Sequence, residues 1–150
     1  MNEMIQKVLT NILSNVTKTN LSESFCEMVL KRLVSFGYFL KEDDSWELSF
    51  VMLNVENHIK NSCNTASIPQ GLFHVATDMI CGEFLMNRKN SGRLELSDLD
   101  LSGAITSISE GDVSISFDTN STDEQKFNQL MNYLMNKGKG DFVCFRKLKW

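Results

Sequence analysis

Residues 44–61, DSWELSFVMLNVENHIKN, set Trp46, Leu48, Phe50, Val51, Met52, Leu53, Val55 and Ile59 at helical spacing over more than one stripe. A helix that is apolar on most sides needs neighbours on most sides. The segment therefore predicts either the central helix of a bundle or a helix with one face against another subunit. Asp44 with Glu47 three residues on reads as a capping box at its start.

Four further stretches supply the rest of a bundle. Met4, Ile5, Val8, Leu9, Ile12, Leu13 and Val16 predict an amphipathic helix over 2–17. Phe25, Met28, Val29, Leu33 and Phe36 share a stripe on a second helix, capped by Asn20 or Ser22 and stopped by Gly37. Pro69 suits the first turn of a helix running from Gln70 to about Lys89 and rich in apolar residues from Leu72 to Met86. Thr122 with Gln125 forms another capping box, ahead of Phe127, Leu130, Met131 and Leu134.

Between the last two helices the chain changes character. Residues 94–125 contain no Lys or Arg and carry eight acids. Ile105–Ser109 and Val113–Phe117 are β-branched runs flanking Glu110-Gly111-Asp112, which predicts a β-hairpin over 105–117. A lone hairpin is marginal in water, so this one must lie on the bundle or on a partner. The end of the chain, 139–150, is the converse: Phe142, Val143, Phe145, Leu148 and Trp150 beside Lys139, Arg146, Lys147 and Lys149. Such a tail either packs on its own domain as a strand, pairs with the acidic stretch of its own or a neighbouring subunit, or adds to a partner's sheet edge. The expected fold is one mainly α domain over 1–150: a bundle of about five helices, a hairpin inserted before the last, and an extended C-terminal arm at 139–150.

Composition narrows the function. At 150 residues, 42% hydrophobic and 23% charged, the chain has the make-up of one soluble domain. With 15 basic against 19 acidic residues, the chain as a whole is poorly built to grip DNA. No stretch approaches the ~20 apolar residues that span a bilayer, and the amphipathic N-terminus does not read as a secretory signal. Cys26, Cys63, Cys81 and Cys144 show no short spacing and read as reduced thiols in a cytosolic protein. His58 and His74 stand on different helices, outside any metal-ligand spacing. Cys81, seven residues from His74, reads as a buried thiol beside a surface imidazole rather than as a nucleophile and its base. Phosphate-binding and nucleophile-elbow motifs are absent. No catalytic residue, cofactor or metal is expected.

Several runs then resemble one family. Val34-Ser35-Phe36-Gly37-Tyr38, Asp44-Ser45-Trp46 and Val55-Glu56-Asn57-His58-Ile59-Lys60-Asn61 are followed by Ile68-Pro69-Gln70-Gly71-Leu72, Asp78-Met79 and Gly82-Glu83-Phe84-Leu85. Ser109-Glu110-Gly111-Asp112, Ser116-Phe117 and the ending Phe145-Arg146-Lys147-Leu148-Lys149-Trp150 complete the series. In order and spacing they resemble the head–tail connector, or adaptor, proteins of tailed bacteriophages, closest to the type of Gram-positive phages and prophages. The likeness spans about residues 28–150, and the first 20 or so look like an added helix.

The resemblance implies a structural virion protein that forms a ring, typically dodecameric, beneath the portal. Such a ring extends the DNA channel, lets DNA pass without specific binding, and meets a head-closure or tail-terminator protein below. It implies assembly in the host cytoplasm, residence in the virion neck, and no membrane. By the same analogy Phe142, Val143, Phe145, Arg146, Leu148 and Trp150 would contact the portal. Glu110, Gly111, Asp112, Ile115 and Phe117 would border the channel or a neighbour. Two rival readings remain: a small helical assembly chaperone, and a DNA-binding regulator built on the helices at 45–61 and 70–89, whose joining loop is long for a helix-turn-helix.

Overall fold

The apolar periodicities become α-helices in a computed structural model that describes residues 2–16, 21–112 and 120–148. The helices are α1 (Asn2–Asn15), α2 (Glu23–Ser35), α3 (Asp44–Cys63), α4 (Phe73–Asn90), α5 (Leu101–Gly111), α6 (Asp123–Asn136) and the single turn α7 (Phe142–Phe145). Short 3-10 turns precede α4, α5 and α7 at Gln70–Leu72, Leu96–Asp98 and Lys139–Asp141.

Helix ends form where side chains satisfy the orphan backbone groups. Ser22 Oγ accepts from Phe25 N at 3.2 Å and opens α2. Thr122 Oγ1 accepts from Gln125 N at 3.2 Å while Thr122 N donates back to Gln125 Oε1 at 3.0 Å, a complete capping box on α6. Gly37 sits at φ +88°, in the left-handed region where glycine ends a helix without strain, and turns the chain out of α2.

The most enclosed helix is α4. It packs against α2, α3 and α6, and buries Val75, Ala76, Ile80, Cys81, Phe84 and Leu85. On its inner side, α1 bridges α2 to α3 and closes a four-helix arrangement in which α2 and α3 stand diagonally opposite. On its outer side lies α6, with α5 against α6, while α7 packs on α3. The N-terminal helix is thus part of the bundle: Val8, Ile12 and Val16 are all buried. The helix α3 is covered by neighbours on most of its sides but not on all of them. Its inner face is core, but Trp46 and Phe50, one turn apart, are 74% and 67% exposed.

Two expectations are overturned. No strand is present among the described residues, and the first arm of the expected hairpin is α5. Asp100 caps it, its Oδ1 accepting from Gly103 N at 3.0 Å, and Leu101, Ala104 and Ile108 fall on one buried stripe. That i, i+3, i+7 spacing, docked against α6, outweighs the β preference of Ile105 and Thr106, which rests on sheet packing the chain does not supply. Glu110-Gly111 is the exposed end of α5, with Asp112 its C-cap, rather than a hairpin turn. Ile115 and Phe117, on the second expected arm, lie outside the described residues. Nor is 139–148 an extended arm: a 3-10 turn and α7 occupy it as far as Phe145.

Candidate functional site

The C-terminal segment is built onto the end of α3. A helix leaves its last carbonyls without intrahelical partners, and the tail supplies donors to two of them. Arg146 Nε donates to Ser62 O at 3.0 Å and Lys147 N donates to Cys63 O at 2.7 Å. A guanidinium there also meets the negative end of the helix dipole. Phe142 is 5% exposed, with the His58 ring edge-on to it at 5.9 Å between centroids. The Phe145 ring lies over Gly71 so closely that any Cβ at 71 would displace it, which is why the loop carries glycine there.

The six tail positions of the sequence reading therefore divide. Phe142 is a core residue and Phe145 is seated on Gly71. Val143, Arg146 and Leu148 face outward, Leu148 at 72% exposure, and Trp150 lies outside the described residues. At the other candidate position, Glu110 and Gly111 are exposed, and Asp112 Oδ2 accepts from the Tyr133 hydroxyl at 3.2 Å, tying the end of α5 to α6.

A buried polar cluster that the sequence reading took for a solvated cap joins α3 to α4. Asp44 is fully buried rather than a surface N-cap. Its Oδ2 accepts from the Tyr38 hydroxyl at 2.9 Å and from Lys41 N at 2.8 Å. Arg88 Nη2 lies 2.6 Å from its Oδ1, and Arg88 Nε lies 2.8 Å from Glu47 Oε2. Both Arg88 contacts are off the line of the N–H bonds, so they act as ion pairs rather than hydrogen bonds. Burial raises the Asp44 pKa, against the pull of the Lys41 amide, the Tyr38 hydroxyl and Arg88. Asp44 and Arg88 are closed to solvent, with Glu47 half-buried at their edge, and the cluster positions helices.

The thiols follow burial. Cys26, Cys63 and Cys81 are buried and Cys144 is exposed. Burial pushes Cys26 up to about 11 and raises Cys81 as well. At pH 8 one thiol should therefore react promptly with an aromatic disulfide reagent and three only on unfolding. The unfolded chain releases thiol protons near pH 9 while the folded chain holds them. The thiol contribution to stability is thus constant below pH 9 and is lost as pH rises from 9 to 11, by about 3 kcal/mol for the Cys26 shift alone, which melting curves against pH would measure. A titration with more than one fast thiol would contradict this packing.

No group of His, Cys, Asp or Glu among the described residues could hold a metal ion. His74 is exposed and Cys81 sits a full two turns inside α4, its Sγ donating to Val29 O, so the two do not form a pair. No helix among the described residues is long and apolar enough to cross a membrane. The helix α4 is packed on by α2, α3 and α6.

Two surfaces stand open, the α3 face that the sequence allowed for and a groove that it did not indicate. At the start of α3, Trp46 and Phe50 project from the bundle, with Phe39, 75% exposed, on the segment leading into the helix, and with exposed Glu42 and Asp43 beside them. Elsewhere, an open groove of about 500 Å³ runs between α2, α4 and the end of α6, lined by Met28, Lys31, Arg32, His74, Asp78 and Lys137. Asp78 holds the groove's cations in place, 3.1 Å from Arg32 Nε and 3.7 Å from Lys137 Nζ. Burial works to lower the Lys137 pKa, but the Tyr133 hydroxyl and Asp78 outweigh it and the value is raised, so this ammonium stays charged.

Comparison with protein-family models, with curated proteins and with solved structures finds no match to this chain.

Proposed function

We propose that this chain is a head–tail connector subunit of a tailed bacteriophage. It is a structural virion protein that forms a ring beneath the portal, extends the DNA channel and joins the filled capsid to the tail. The observation that carries the reading is the C-terminal segment. Its root is fixed to α3 by two hydrogen bonds, one of them from Arg146, yet Val143 and Leu148 are left facing outward among basic neighbours. A fixed base with an outward apolar and basic end is the form of an anchor, and the sequence adds Trp150, a residue type that dominates binding hot spots. The ordered runs from Val34 to Trp150 point the same way.

The charge distribution fits a passage. A channel through which DNA slides must not hold it, and acids repel phosphates. The net charge is −4, and the stretch 94–125 offers no Lys or Arg to a phosphate. The partners are the portal above, further copies of the chain alongside, and a head-closure or tail-terminator protein below; no cofactor takes part. Cryo-electron microscopy of purified particles tests the proposal directly. A ring of this chain below the portal, with 143–150 against it, is the expected result. Complete particles that lack the chain would remove the connector role and turn the function toward an assembly chaperone.

A further inference from the structure

We infer that the aromatic face at the start of α3 docks into the groove between α2, α4 and α6 of a second copy of the chain. Trp46 and Phe50 are 74% and 67% exposed although they occupy a helix whose other faces are core. Contiguous apolar surface of this kind on a small domain marks an interaction site. The groove is its complement in charge. It offers Met28, itself 42% exposed, as an apolar floor, with Lys31, Arg32 and Lys137 on its walls against Asp78 and Glu27, the latter 2.9 Å from Lys31. The aromatic face carries the opposite sign, with Glu42 and Asp43 exposed beside it.

The occupant is another copy for two reasons of geometry. Because α2 and α3 stand diagonally across the bundle, no copy can bring its own aromatic face to its own groove. A two-fold pairing of aromatic face on aromatic face would set Glu42 and Asp43 against their own images, whereas face into groove sets acids against lysines. Each copy then presents one face and one groove, a head-to-tail contact that propagates and closes when the rotation allows. The contact stands on these two surfaces; its closure into a ring rests on the connector reading.

Cross-linking tests it in a Cys144→Ser chain, which lacks the one exposed thiol. Met28→Cys marks the groove and Phe50→Cys the face, joined by a short bis-maleimide at millimolar protein, where even a weak contact is populated. The chain carrying both should give a ladder of dimers, trimers and higher species. A mixture of the two single variants should stop at dimers, and either alone should stay monomeric. Lys31→Glu with Lys137→Glu should weaken the ladder at least tenfold, and adding Glu42→Lys with Asp43→Lys should restore it. Dimers from Phe50→Cys alone would show that the face pairs with itself. No ladder above that of a marker pair elsewhere on the surface would show that no second copy covers it. Either result overturns the inference. Portal binding by the same chains separates this contact from the connector role: a ladder without portal binding keeps the contact and removes the role, and the converse removes the contact alone.

Discussion

Replacing Arg88 by alanine is expected to destabilise the fold by about 3–5 kcal/mol, the usual consequence of removing one partner of a buried ion pair. For a domain of this size that is a fall in Tm of roughly 6–20 °C. Arg88 is 3% exposed and Asp44 fully buried, so neither charge has water to fall back on. The guanidinium also lies over the Phe84 ring, 5.2 Å from its centroid. Without it, Asp44 keeps only the Tyr38 hydroxyl and the Lys41 amide, and its pKa, already raised by burial, rises further. The sign of the pH dependence follows. The folded variant takes up a proton at a pH where the unfolded chain does not. Its deficit is therefore largest above the raised pKa and shrinks as pH falls toward the ordinary carboxylate value. Denaturant melts at pH 7.5 and 5 should show the difference. Removing both charges, Arg88→Met with Asp44→Leu, should recover most of the loss, because the uncompensated charge and not the missing attraction carries it. A cost below about 1 kcal/mol at both pH values would mean that the cluster does not tie α3 to α4.

The same cluster shows where the sequence could be read and where it could not. Ser22, Gly37 and the Thr122–Gln125 box are local devices, each acting within four residues of itself, and each stands where the spacing placed it. Asp44 was legible only as a cap, because what decides its role is Arg88, 44 residues away in sequence and met only after α4 has folded back. The choice between the two outcomes for α3 was out of reach on similar grounds. Apolar residues on several sides of a helix fix how much of it must be covered, not what covers it. In α4 the cover is α2, α3 and α6; in α3 the face of Trp46 and Phe50 is left open. At 105–109 the alternation of Ile, Thr and Ser fits a strand and a helix equally over five residues. Leu101 and Ala104, just upstream, resolve it by extending the helical stripe. In the tail, the apolar residues were identified but their division was not, because Phe142 and Val143 differ only in which way the single turn α7 points them.

That division makes the tail separable by mutation. A chain ending at Arg146 loses Lys147 to Trp150 and with them the 2.7 Å hydrogen bond from Lys147 N to Cys63 O, an interaction worth about 1 kcal/mol. It keeps Phe142, Phe145 and the Arg146 contact to Ser62, so its helical melting transition should persist with Tm lowered by a few degrees at most. Phe142→Ala should do the opposite and cost about 3–5 kcal/mol through the cavity it leaves beside α3. Under the proposed connector role, binding to a portal protein is expected to fall beyond detection in the truncated chain, because Leu148 and Trp150 are the large apolar groups the anchor offers. A chain truncated earlier, before Phe142, would confound the two effects, since it removes core and anchor together. Full portal affinity in the chain ending at Arg146 would place the anchor elsewhere, and loss of its melting transition would make the last four residues part of the core. Stability retained with portal binding lost is the one combination that a purely structural tail cannot produce.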